Sequence, residues 1–112
     1  MKILQISESV LKFILPTEVD LTNAQDIKRE IYEEAFEKGI KKVILDFSST
    51  HYIDSTGLGI IVALHRHALM NAGAIAIVNL DENIKGLLKM TALDKILNLF
   101  DNEEAASNFL NS

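Results

Sequence analysis

The stretch Asp54-Ser55-Thr56-Gly57-Leu58-Gly59 is where this chain carries the residue types for chemistry. It stands between two strongly apolar runs, and its position is that of a strand handing over to a helix. The plain reading is a strand-to-helix turn in which Asp54 or Ser55 caps the helix, one such residue sufficing, and Gly57 relieves crowding near its start. Three polar side chains precede the glycine, and Gly59 costs a helix about 1 kcal/mol relative to alanine. Small residues at a helix start leave backbone N–H groups uncovered, and the helix dipole favours an anion beside them. A phosphate suits that position, either bound or attached to Ser55 or Thr56. Gly57 is expected to let a partner or a phosphate approach the backbone closely, because it has no Cβ in the way.

Other chemistries fit less well. A phosphate loop of the G-x-x-x-x-G-K-[ST] type needs a lysine after the glycines, and here no basic residue follows until Arg66. A nucleophile elbow needs a glycine two residues before the serine, where this chain has Ile53. The aspartic-protease pattern D-[ST]-G is broken by an extra residue. His65 and His67 are two apart on a helical stretch and so diverge by about 200°, which prevents a shared metal ion; together with His51 they read as surface histidines. With no cysteine in the chain there is no thiol catalysis, disulfide or cysteine-ligated zinc. No catalytic residue, metal or cofactor is therefore expected.

The elements that must position the polar stretch are legible from periodicity. Ile3–Ile6 and Val10–Leu15 predict two strands joined as a hairpin through Ser7-Glu8-Ser9, with Pro16 ending the second. Thr22-Asn23-Ala24-Gln25 has the capping-box pattern, and Ala24, Ile27, Ile31 and Ala35 recur on one helical face up to Gly39. Lys42–Phe47 is an interior strand, apolar on both faces except at Asp46. A buried helix follows over 57–71, ended by Gly73. Ala74–Val78 is a strand. Asp81 opens a helix carrying Ile84, Leu87, Leu88 and Thr91. Ile96–Phe100 is a last strand, and Asp101 with Glu104 opens a last helix with Ala105, Phe109 and Leu110 on one side. The order β-β-α-β-α-β-α-β-α predicts a single α/β domain over 1–112, with a mixed, mostly parallel sheet and an N-terminal hairpin.

Composition agrees. A chain of 112 residues with 48% hydrophobic and 24% charged residues has a sizeable core and needs no staple. Its net charge of -5, with no run of Lys or Arg beyond two, argues against nucleic acid. The first residues turn polar too soon for a signal peptide. The longest nearly charge-free stretch, Ser55–Leu64, falls far short of the roughly 20 residues of a membrane span. A cytoplasmic location is expected.

The run KVILDFSSTHYIDSTGLGIIVALHRHA resembles the central segment of the STAS domain of bacterial anti-sigma factor antagonists. That family joins an apolar strand, a loop ending in D-S-[ST]-G and a buried helix. Thr17-Glu18-Val19-Asp20 resembles its G-E-[hydrophobic]-D segment, with Thr17, after Pro16, standing where the family has glycine. Met90-Thr91-Ala92-Leu93-Asp94-Lys95-Ile96 resembles its M-x-x-L-x-K-[hydrophobic] segment. The resemblance implies a phosphate acceptor at Ser55, with Thr56 second. It also implies a partner surface of Asp20, Asp54, Thr56, Gly57 and Leu58. The implied partners are an anti-sigma factor with serine kinase activity, bound when Ser55 is unmodified, and a serine phosphatase. A STAS scaffold or signalling subunit with another binding protein is the alternative. A small hydrolase with Ser55 as nucleophile is a third reading, from a different class.

Overall fold

A computed structural model describes all 112 residues. The elements are β1 (Lys2–Gln5), β2 (Val10–Ile14), β3 (Glu18–Val19), α1 (Ala24–Glu34), β4 (Lys42–Asp46), β5 (Tyr52–Ile53), α2 (Ser55–Met70), β6 (Ala74–Val78), α3 (Glu82–Met90), β7 (Asn98–Phe100) and α4 (Glu103–Leu110). Short 3-10 turns follow α1 and α3. The expected order holds, with β3 and β5 as two-residue additions. The main sheet runs β1-β2-β4-β6-β7. β1 and β2 form the antiparallel hairpin, and every other pairing in this sheet is parallel.

Alternation sorts the strand side chains into two cores. Leu11, Phe13, Leu15, Val43, Leu45, Phe47, Ile75 and Ile77 pack with α1, α2 and α3 on one face. Val10, Ile44, Ala76 and Val78 pack with Ala106 and Leu110 of α4 on the other. Covering on both sides explains the continuous apolar reading of β4. Its one acid, Asp46, is buried and satisfied: it accepts from the Ser48 N–H at 2.8 Å and the Asn79 amide at 3.1 Å, with Lys12 at 3.8 Å.

Several local expectations change. The Thr22 hydroxyl does not cap α1 but donates to Asp20 at 2.6 Å. Asn23 is the cap residue, and its side-chain oxygen accepts from the Asp20 N–H instead. Gly39 does end the first helical segment in the left-handed region, at φ 83°. Gly73 does not end α2 that way. Ala72 takes the left-handed turn at φ 60°. A Cβ on Gly73 would stand 2.1 Å from the Lys41 carbonyl oxygen, so glycine is required there for packing. In α4 the cap is Asn102, and the buried residues are Ala106 and Leu110 rather than Ala105 and Phe109. Phe109 lies against Phe100 instead, with ring centroids 5.1 Å apart. His65 is buried on the inner side of α2, and His67 clusters with the rings of Tyr32 and Phe36; neither is a solvated surface histidine.

Candidate functional site

β3 and β5 are too short to carry a periodic signal, yet they build the site. They pair in parallel as a separate two-stranded ribbon, Glu18 with Tyr52 and Val19 with Ile53. Two further bonds sew the loops beneath it together. The buried Thr50 hydroxyl donates to the Pro16 carbonyl at 2.7 Å, and the His51 N–H donates to the Thr17 carbonyl at 2.8 Å. The Pro16-Thr17 segment is therefore a fixed edge of the site.

Asp54 joins this ribbon to α2. One carboxylate oxygen accepts from the Gly57 N–H at 2.9 Å, which caps the helix. The other accepts from the Leu21 N–H at 3.0 Å, which ties down the loop before α1. Both oxygens are thus engaged within the chain. Asp20, next to Leu21, holds its own turn by accepting from the Thr22 hydroxyl and N–H. Those bonds, the hydroxyl's first, lower the Asp20 pKa below the ordinary carboxylate value.

Capping by Asp54 leaves Ser55 free. It is the first helical residue, it is exposed, and its hydroxyl makes no hydrogen bond within the chain. The N–H groups of Ser55 and Thr56 likewise have no acceptor in the protein. Thr56 is half-buried.

The two glycines play different parts. Gly57 is buried, and a Cβ there would lie 2.3 Å from the Val19 carbonyl oxygen and 2.7 Å from the Ile53 side chain. Its small size lets α2 press onto the β3–β5 ribbon. Relief of crowding is thus its role, and the expectation that it opens the backbone to a partner is corrected. Leu58 is half-buried against the main core. Gly59 is exposed, with nothing within 4 Å of a Cβ built on it. It lies one turn beyond Ser55 on the same helix face, followed by Val62 and Arg66. Two residues that sequence reasoning missed complete this surface. Leu21 is 75% exposed and Tyr52 is 53% exposed, both beside Asp54 in the chain or through its hydrogen bond. The alternation Tyr52-Ile53 was the available signal for the tyrosine, since Ile53 points inward.

The site thus presents an unengaged hydroxyl with the exposed side chains of Leu21 and Tyr52 near it. The match to the STAS domain model runs over residues 1–106. The chain belongs to the STAS-domain family. A relative from Thermotoga neapolitana, described as a candidate anti-sigma factor antagonist, is 31% identical over 97 residues, 87% of this chain and 86% of that one. The crystal structure of a candidate antagonist from Thermotoga maritima superimposes with a TM-score of 0.89 at 28% identity, covering 96% of this chain and 92% of that one. The phosphorylated form of the Bacillus cell-fate determinant SpoIIAA shares the fold, with a TM-score of 0.74 at 18% identity over 96% and 97% of the two chains. As a STAS-domain protein, this chain is a regulator and not an enzyme. No helix in it is long and apolar enough to cross a membrane.

Proposed function

We propose that this protein is a phospho-switchable antagonist of an anti-sigma factor. Unmodified, it binds the anti-sigma factor in the cytoplasm and frees the sigma factor. Phosphorylation of Ser55 by that factor's serine kinase activity blocks binding, and a serine phosphatase restores it. The observation that carries this reading is the division of labour between Asp54 and Ser55. Asp54 does the structural work of the helix start, so the exposed Ser55 hydroxyl is free for modification without loss of the cap. The determinant from Bacillus is known in both unphosphorylated and phosphorylated forms, which supports a switch of this kind on this fold.

The physics of the switch follows from position. A phosphoserine carries about -1.5 to -2 charges at neutral pH. At the start of α2 the dipole and the two open amides favour that charge, so the fold persists. In an interface the same dianion must lose water near Asp54 and Asp20. A penalty of about 3 kcal/mol weakens binding more than a hundredfold. Mass spectrometry after incubation with the cognate anti-sigma kinase and ATP tests the assignment. Phosphate on Ser55 is expected; phosphate on Thr56 or elsewhere with Ser55 unmodified would overturn it.

A further inference from the structure

Two large apolar side chains stand exposed on either side of Asp54, at the start of α2. The Leu21 backbone is fixed there, because its N–H donates to the Asp54 carboxylate at 3.0 Å. Tyr52 stands two residues before Asp54 on the β3–β5 ribbon, opposite Glu18, with Ile53 turned inward. Both side chains are more than half exposed on a backbone already ordered, so covering them costs little further entropy. Ser55 follows Asp54 directly. Neither 16–23 nor 47–59, the segments that build this end of the molecule, contains a Lys or Arg. On α2 the first is Arg66, about three turns beyond Ser55. A phosphate on Ser55 therefore meets two open amides and no cation of these segments, beside two uncovered apolar side chains.

We propose, resting on the reading of this chain as an anti-sigma factor antagonist, that Leu21 and Tyr52 are the anchors of the interface, seated in an uncharged apolar pocket of the anti-sigma factor. Interfaces draw most of their affinity from a few well-packed anchors, often aromatic, inside a polar rim. Here Glu18 and Asp20 supply that rim. The anchors are contiguous with Ser55, so a pocket that closes over them also dehydrates whatever Ser55 carries. A hydroxyl survives this; a dianion with no cation beside it does not. The apolar pair is thus what makes the partner sensitive to the phosphate.

The test is calorimetric binding of the cognate anti-sigma factor to the full chain and to Leu21→Ala, Tyr52→Ala and Met70→Ala, each with and without Ser55→Asp, with a melting curve of each. Met70 is as exposed as Leu21 but ends α2, about 22 Å along the helix from Ser55. Leu21→Ala and Tyr52→Ala should each weaken binding about tenfold or more, with melting close to that of the parent. Met70→Ala should stay within about twofold. Coupling separates an anchor from a bystander. Ser55→Asp should cost at least about threefold less in the Leu21→Ala and Tyr52→Ala backgrounds, where the pocket no longer closes over position 55, and the same as in the parent with Met70→Ala. If Tyr52→Ala loosens the ribbon, Leu21→Ala alone decides. Affinity that is lost on Ser55 phosphorylation yet kept within about twofold by Leu21→Ala and Tyr52→Ala would overturn the anchors and leave the antagonist reading standing. Equal weakening by Met70→Ala, or strictly additive losses with Ser55→Asp, would overturn them too. A wild-type chain that does not bind the anti-sigma factor at all would overturn the antagonist reading, and the anchors with it.

Discussion

Gly57 and Gly59 are two residues apart on one helix and do opposite things. The inner side of the first turns of α2 is a packing problem: Gly57, Ile60, Ile61 and Leu64 are buried, and the Val19 carbonyl fills the space a side chain would take. The outer side is unoccupied: Ser55 and Gly59 are exposed, and no part of the chain demands that Gly59 be small. A glycine in a polar motif is therefore not by itself a sign of function. The test is whether something within the chain already explains it, and only Gly59 remains unexplained from inside.

The comparison breaks most easily at Gly57. Gly57→Val places a branched side chain where even a Cβ meets backbone oxygen at 2.3 Å, so α2 must part from the β3–β5 ribbon. Overpacking of this kind costs about 3 kcal/mol or more when backbone is the obstacle. A large drop in denaturation midpoint is expected, with partner binding lost as a consequence of lost fold. A variant that melts like wild type yet fails to bind would return Gly57 to the interface.

Asp54→Ala comes next. It removes the α2 cap and the bond to the Leu21 N–H together, and loss of a cap alone costs about 1 kcal/mol, up to about 2. Chemical denaturation should show a loss near the upper end of that range. Amide exchange at Leu21 and Gly57 should speed up more than in the sheet.

Gly59→Ala sharpens the contrast from the other side. An exposed helical glycine replaced by alanine should stabilise the fold by about 0.5–1 kcal/mol. If the outer face receives a partner, affinity should fall in the same variant. Stability and binding measured together separate the two effects, and a gain in both would remove Gly59 from the contact surface.

The smallest effect lies deeper along the inner side. Burial lowers the His65 pKa from its ordinary 6.5. The native state therefore binds fewer protons than the unfolded chain once pH falls below 6.5, and stability declines from there down to the folded-state value. Above pH 6.5 this contribution is constant. A pH series of melting curves should show the decline, and His65→Gln should flatten it.

The same contrast explains what the sequence could reveal. The central strands were legible as short, continuous apolar runs, and the inward stripe of α1 because period three to four persists over the whole element; Ala24, Ile27, Ile31 and Ala35 are all buried as expected. The polar stretch was legible as unusual. Its geometry was not, because the decisive neighbour of Gly57 is Val19, far away in the chain and in a strand of two residues. Leu21 was hidden for the same reason: its amide is fixed by Asp54 across that gap. In α4 two adjacent alanines, Ala105 and Ala106, left the inward face ambiguous by one position until the cap at Asn102 was known.

The central claim is that phosphate on Ser55 excludes the partner and leaves the domain folded. It is tested by calorimetric binding of the anti-sigma factor to the unmodified chain, the Ser55-phosphorylated chain and Ser55→Asp, with a melting curve of each. The account predicts more than a hundredfold loss of affinity on phosphorylation and a smaller loss for Ser55→Asp, which has about half the charge. Melting temperatures should be equal or slightly raised, since an acid at a helix start is worth about 0.3–1 kcal/mol. Retained affinity in the phosphorylated chain, or affinity lost only together with the fold, would contradict it.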